Sequence, residues 1–189
     1  MEMNLLPLAA TPFVAPADRD MQPSERREFV RTHRTCIFGY QRRNDGPSMS
    51  VVYYIPTDTD ELLVSTMRGR AKAKSVKRDG KISLCILDER WPFAYLQVYC
   101  DAQLDDDPGL VVDVMMAVGG RMSGEVIPED ARPVVAEMAE SEDRVVLRCR
   151  PYATFAQPPR HLHRTDQDEQ ITHWISASMP WDAEDAVTA

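Results

Sequence analysis

The chain has 189 residues, of which 43% are hydrophobic and 28% are charged, a composition typical of a folded globular domain rather than a disordered or collagenous chain. Its formal net charge of −8 argues against nucleic acid or an anionic membrane as the main partner. No apolar run reaches the roughly 20 residues that a membrane-spanning helix needs. We therefore expect a cytoplasmic protein in which any anion site is a local cluster of cations.

The two ends of the chain differ in composition from the middle. Residues 1–22 contain several prolines and no apolar periodicity, and we expect an arm that drapes over the domain or over a partner chain. The domain, residues 23–164, then begins with a short helix. Residues 165–189 are mostly acidic and are predicted to be a tail, part of which could dock through Trp174 and Trp181.

The first half of the domain has the pattern of an antiparallel meander. TCIFGYQ at 35–41 and SMSVVYYIP at 48–56 flank an Asp-Gly step, which is typical of a tight hairpin turn. ELLVSTM at 61–67 follows as a third strand. Helix-favouring residues then replace the strand pattern at 69–78, where lysines and arginines share one face and predict a short basic helix.

The second half returns to strands and adds two helices. Residues 81–88 and 94–104 alternate apolar and polar side chains, so each should bury one face. Helices are predicted at 106–122 and 128–140, and late strands at 145–155. Short strands in this order predict a mainly β, α+β fold: a six-stranded barrel, closed or split, with flanking helices.

The most distinctive local feature lies where the third strand meets the basic helix. STMRGRAKAK delivers the hydroxyls of Ser65 and Thr66 into a helix N-terminus, where free N–H groups and the helix dipole favour a phosphate. Residues 68–81 hold seven Lys or Arg residues against Asp79 alone, which is a net +6 within a chain of −8. A phosphate site and a merely solvated basic helix both fit this composition.

The segment STMRGRAKAKSVKRDGKISLCILDE resembles the strand–helix–strand signature of split-barrel flavin- and deazaflavin-dependent oxidoreductases, the pyridoxamine 5'-phosphate oxidase-like superfamily. It is most similar to the branch that binds coenzyme F420. Further likeness comes from SMSVV at 48–52, from 95–104, and from 144–159 with its terminal Pro-Pro turn, so the resemblance covers roughly residues 25–164. The chain departs from the family at Ser75, where Asn is common, and at Gly80, where Pro is common.

This resemblance implies a set of cofactor-binding residues. Arg70 and Lys72 would hold the cofactor phosphate within the Arg70-Ala71-Lys72 step, with Lys74 continuing a basic track along the helix. The resemblance further implies that the hydroxyls of Ser65 and Thr66 contact the cofactor. It implies that a turn at Pro158 helps to close the site. The residues implied to contact the ring are Met49, Ser50, Val51 and Val52. The resemblance also implies a homodimer with the cofactor sites between its subunits.

The resemblance also implies an activity. Reduced coenzyme F420 would pass hydride to an unsaturated organic acceptor that the sequence does not identify, and no catalytic triad is expected because the cofactor brings its own reactive ring. FMN in an oxidase or reductase, and a non-catalytic flavin or haem carrier or sensor, remain alternatives. His161 and His163 could ligate haem, but no third metal ligand stands at a recognisable spacing, so we predict no metal site.

Overall fold

The computed structural model of the protein describes residues 3–16, 19–90, 93–157 and 178–186. Its helices are α1 (Pro23–Thr32), α2 (Ala71–Asp79), α3 (Pro108–Ser123) and α4 (Arg132–Ser141), with a 3-10 turn at Glu129–Ala131. Its strands are β1 (Thr35–Tyr40), β2 (Ser48–Tyr53), β3 (Ile55–Pro56), β4 (Leu62–Met67), β5 (Lys81–Asp88), β6 (Ala94–Asp105), β7 (Arg144–Gln157) and β8 (Ser178–Pro180).

All eight strands form one antiparallel sheet that curls into a split barrel. The order across the sheet is β2-β1-β5-β6-β7-β4-β3, and β8 pairs with β7. Because β2 and β3 stand at the two ends of this order and are separated in the chain only by Tyr54, one bent strand joins the two edges. Counted this way the barrel has six strands, and the predicted fold class is confirmed.

The bend at Tyr54 divides what the sequence presents as one strand. Its side chain is fully buried, and its hydroxyl donates a hydrogen bond of 2.6 Å to the main-chain oxygen of Val30 in α1. This anchor turns the chain at the point where β2 leaves β1 and β3 joins β4. The helix that precedes the barrel therefore fixes where the barrel wall bends.

Two apolar cores lie on either side of the barrel wall. The inner core fills the barrel with side chains such as Phe38, Leu84 and Leu96, and α1 closes one end with Phe29. The outer core packs α3 and α4 against one side of the sheet, chiefly through Ile55, Leu63, Val111, Val114, Ala139 and Val146.

The late strands and helices differ in detail from the prediction. The two late strands are a single strand, β7, in which a register shift opposite Tyr99 leaves Tyr152 without a paired residue in β6. The predicted helix at 128–140 divides into the 3-10 turn and α4, whose second residue is Pro133. Proline fixes its own φ and lacks an N–H, so it is tolerated in a first helical turn and marks where α4 begins.

The described part of the N-terminal arm lies on the domain, as expected. The main-chain N–H of Leu6 donates to Pro56 of β3 at 2.8 Å, and Leu5 forms a β-bridge with Thr57. Further along, Ala15 is buried in the inner core. These contacts extend the β3 end of the barrel by one short stretch of extended chain.

The described part of the C-terminal tail also docks. β8 pairs with residues 153–155 of β7, and the indole N–H of Trp181 donates to Asp60 at 3.3 Å. Arg27 of α1 donates to the main-chain oxygen of Trp181 at 2.9 Å. Docking through Trp181 is therefore confirmed, whereas Trp174 lies outside the described residues.

None of the helices in the described ranges is long and apolar enough to cross a bilayer.

Candidate functional site

The predicted phosphate corner is built around Lys72, in the first turn of α2. Its ammonium donates a hydrogen bond of 3.0 Å to the Ser50 hydroxyl of β2 and lies 5.6 Å from the centroid of the Phe38 ring. Burial, and after it the neighbouring Arg70 guanidinium, lower the pKa of Lys72 from its ordinary value. Among the described residues no carboxylate pairs with this ammonium, so the corner carries a half-buried positive charge without an anion.

The N-terminus of α2 adds main-chain donors to the same corner. The helix starts at Ala71 after Arg70, whose side chain makes no capping hydrogen bond, and its first turn contains no acidic residue. The N–H groups of a first helical turn have no partner within the helix, and the helix dipole makes that end positive. Arg70, Ala71 and Lys72 therefore present donors and positive charge together.

A second group of cations faces this corner, in which Arg42 and Arg43 of the β1–β2 hairpin join Lys74 and Arg78 of the predicted basic helix. A cavity of about 440 Å³ is lined by Tyr40, Gln41, Arg42, Arg43, Ala71, Lys74 and Arg78, with no carboxylate among them. Arg42 and Arg78 are paired with Asp45 and Asp79, which leaves Arg43 and Lys74 without an ion pair in the described part of the chain. For the hairpin part of this cluster, the sequence signal is the pair of adjacent arginines before the Asp-Gly turn.

β2 supplies the wall beside the corner. Ser50 and Val52 pair in register with Phe38 and Cys36 of β1 and face the barrel interior, whereas Met49 and Val51 face outward and are 72% and 74% exposed. On the side away from β1, β2 has no partner strand within the described ranges. Its outward main-chain groups are therefore available to a ligand, in keeping with the ring contacts expected at 49–52.

Ser65 and Thr66, the predicted hydroxyl donors, point in opposite directions because successive side chains of a strand alternate. Thr66 shares a face with the inner-core residue Val64 and is 3% exposed. Ser65 shares the face of Leu63 in the outer core, and its hydroxyl is buried without a described hydrogen-bond partner. No described hydrogen bond joins either hydroxyl to Lys72, and Pro158 lies outside the described residues.

A larger groove on the other side of α2 is electrostatically balanced. It measures about 1060 Å³ and runs between α2 and the end of β6, with Lys77, Lys81 and Asp101 in its lining. Arg68 pairs with both Asp106 and Asp143, and Lys81 pairs with Asp101. Because most of its cations already have partners, this groove is less suited to an anion than the corner at Lys72.

The outer face of the sheet beside β2 is apolar and half-exposed. Tyr95, Tyr99 and Phe155 lie on this face with the exposed Met49 and Val51, and the Tyr99 ring stacks on the Tyr152 ring at 6.3 Å. A continuous face of this kind on a barrel wall is typical of a surface that another molecule covers.

Comparison with known proteins identifies the family. The family model described as "Pyridoxamine 5'-phosphate oxidase" matches residues 23–157. No curated protein matches the chain at significant similarity.

Solved structures share the fold at low sequence identity. The conserved hypothetical protein Rv2991 from Mycobacterium tuberculosis is similar with a TM-score of 0.65 and 22% identity, covering 78% of this chain and 91% of that one. An F420 reductase has a TM-score of 0.50 and 19% identity over 66% of this chain and 91% of its own. A haem-binding protein from Mycobacterium smegmatis has a TM-score of 0.56 and 12% identity, over 86% of this chain and 59% of its own. These likenesses concern the fold alone, whereas the family model spans most of the domain: the chain belongs to the pyridoxamine 5'-phosphate oxidase family.

Proposed function

We propose that the chain binds reduced coenzyme F420 at the corner between β2 and α2 and passes hydride to an unsaturated organic acceptor. The observation that carries this proposal is the ammonium of Lys72, which is half-buried, hydrogen-bonded to Ser50, and without a carboxylate partner in the described part of the chain. Holding an unpaired cation away from water costs free energy unless a ligand supplies the anion. The donor set fits a phosphate, which accepts hydrogen bonds from ammonium, guanidinium and helix N–H groups alike.

The chain's own residues would bind and orient the cofactor. Lys72 and Arg70, with the first-turn N–H groups of α2, would hold the phosphate. The outward main-chain groups of β2, from Met49 to Val52, would hydrogen-bond the polar edge of the ring. When bound, a deazaflavin supplies the hydride itself, so the protein needs to provide anchoring, orientation and exclusion of water.

The cluster of cations at the 440 Å³ cavity favours F420 over FMN. Coenzyme F420 carries a longer acidic tail than FMN, and Lys74 and Arg43 extend the positive charge beyond the phosphate corner without ion pairs of their own in the described residues. FMN lacks the acidic tail that would contact these cations. Because a haem-binding protein shares the fold, the alternative function is a non-catalytic haem carrier.

We further propose a homodimer that forms through the outer sheet face and closes the site. Met49 and Val51 are more than two-thirds exposed and continue into the half-exposed aromatic side chains of β6. A second copy packed on this face would bury them and cover the ring edge presented by β2. Size-exclusion chromatography with light scattering tests this point: a Val51→Lys variant should dissociate into monomers, while a strictly monomeric wild type would remove the dimer from the proposal.

The decisive experiment is titration of the apo protein with coenzyme F420 and FMN side by side, followed by fluorescence or calorimetry. Tighter binding of F420, weakened by Arg43→Gln, supports the proposal. Tighter binding of FMN, or a yellow protein as purified, assigns the site to FMN instead. Binding of haem with a Soret band and of neither flavin would assign a haem carrier.

Turnover separates an enzyme from a carrier. The F420-loaded protein should oxidise reduced F420 in the presence of at least one acceptor in a panel of quinones, enones and tetrapyrroles. If F420 binds tightly and no member of the panel is reduced, the chain is a cofactor carrier.

A further inference from the structure

A third cavity, remote from the cofactor corner, lies between the N-terminal arm and α3. It measures about 830 Å³, within the usual range of small-molecule sites. One wall is the arm from Met3 to Ala10, and the opposite wall is the second half of α3 with the loop that follows it. Its apolar lining includes Leu5, Leu6, Leu8, Met116, Ala117 and Ile127.

The arm that forms this wall is held at defined points. The side chain of Asn4 donates to the Asp58 carboxylate at 2.9 Å, and the Asn4 main-chain N–H donates to the same carboxylate at 3.0 Å. Leu6 donates to Pro56, and its own main-chain oxygen accepts from Arg121 of α3 at 3.4 Å. The arm that forms one wall of the cavity is therefore held in place by hydrogen bonds at Asn4 and Leu6.

Two arginines without ion-pair partners in the described part of the chain lie together in the lining of this cavity. Arg121 is 3% exposed, and its guanidinium donates to the main-chain oxygens of His33 and Leu6. Arg34 lines the same cavity. Burial lowers the pKa of Arg121, and the nearby positive charge of Arg34 lowers it further. Neither guanidinium has an ion pair among the residues that the structure describes.

None of the described carboxylates that line the cavity forms an ion pair with these two arginines. Asp113 and Glu129 both pair with Arg132, at the side of the cavity where α4 begins. Glu125 is exposed in the loop after α3 and forms no described ion pair. Two guanidinium groups without described ion pairs, one of them almost fully buried, thus lie beside the aliphatic side chains of the cavity.

We propose that this cavity binds an aliphatic carboxylate, with the chain between the arm and α3 and the carboxylate at Arg34 and Arg121. The guanidinium group presents paired N–H donors that match the two oxygens of a carboxylate. The aliphatic body would be buried against leucine, methionine and isoleucine side chains, which favours a ligand with both features over an inorganic anion. This site is separate from the cofactor corner and does not depend on the proposed redox function.

The test uses decanoate as the probe and isothermal titration calorimetry on the full chain. Arg34 is exposed and can be changed without removing a buried contact, so Arg34→Gln should weaken decanoate binding about tenfold, the usual scale of one charge-assisted hydrogen bond. Arg34→Lys should retain part of the affinity. Ala117→Phe, which fills the cavity from α3, should abolish binding while the charge is unchanged.

Matched controls decide whether binding is specific. Arg144→Gln removes the same charge from the surface at the start of β7, where Arg144 pairs with Glu142, and should leave decanoate affinity unchanged. Neutral decanol should bind at least about tenfold more weakly than decanoate. The proposal is overturned if wild type does not bind decanoate, if decanol binds equally well, or if Arg34→Gln and Ala117→Phe both bind like wild type.

Discussion

The most direct test of the cofactor corner is Lys72→Met, which keeps the apolar stem of the side chain and removes its charge. A charge-assisted hydrogen bond contributes about 1.5 to 3 kcal/mol, so the variant should bind coenzyme F420 about 10- to 150-fold more weakly. The apo protein should change little. Loss of the Ser50 hydrogen bond and of the contact with the Phe38 ring is offset by removal of a half-buried ammonium, so the free energy of unfolding should stay within about 1 kcal/mol of wild type.

The same variant has a pH signature. The pKa of Lys72 lies below its ordinary value of 10.5, so its charge is lost earlier on the alkaline side than that of an exposed lysine. Because an anion binds the protonated form, wild-type affinity for F420 should fall as pH rises through this pKa, and Lys72→Met should lack that fall. Fluorescence titration at several pH values measures the affinity for F420, and urea unfolding of the apo protein measures the free energy of unfolding.

Lys81→Met is the matched control, since it removes a lysine charge that already pairs with Asp101. It should leave F420 affinity unchanged. Equal affinity in wild type and Lys72→Met, or a loss that only parallels unfolding of the apo protein, would refute the role of Lys72 in binding.

Three further outcomes follow from buried contacts. Burial lowers the pKa of His33 in the folded state, so unfolding is accompanied by proton uptake as pH falls below about 6.5. The free energy of unfolding should therefore decrease in that range. Urea melts at pH 5 to 7 should show this decrease in wild type and not in His33→Gln. Arg26, 2% exposed, donates to the Thr154 hydroxyl at 3.0 Å, and Arg26→Met should lower the free energy of unfolding by about 1 to 3 kcal/mol, since Thr154 would lose its partner; an unchanged denaturation midpoint would contradict this. Deleting residues 178–189 uncovers the edge of β7 at 153–155 and should increase concentration-dependent association in light scattering, whereas unchanged scattering would show that β8 does not protect that edge.

Strand periodicity predicted the barrel well because it follows directly from burial. Along β6 the residues expected to face the core run at every second position from Ala94 to Leu104; those up to Ala102 are at most 3% exposed, and Leu104 at the end of the strand is half-buried. The break between β2 and β3 could not be read in the same way. VVYYIP is apolar throughout, and the bend at Tyr54 is set by its hydrogen bond to Val30 of α1, a contact between distant parts of the chain.

The candidate site was harder to predict from the sequence than the strands of the barrel. Lys72 and Arg70 could be identified because strand, small residue and helix follow one another in the chain. Arg43 could not, since its proximity to Lys74 depends on how the β1–β2 hairpin folds over α2. The opposite directions of Ser65 and Thr66, in contrast, follow from strand alternation alone.

The pairing of β4 with β7 limits the order in which the barrel can form. Glu61, 6% exposed just before β4, bonds to Arg148 of β7 at 2.5 Å across 87 residues, whereas β1 with β2 and β5 with β6 pair locally. During synthesis from the N-terminus, β4 therefore cannot pair with β7 until nearly the whole domain has left the ribosome. Until β4 and β7 pair, the barrel cannot close, and we expect its exposed apolar interior to make this the stage at which the nascent chain is most prone to aggregation.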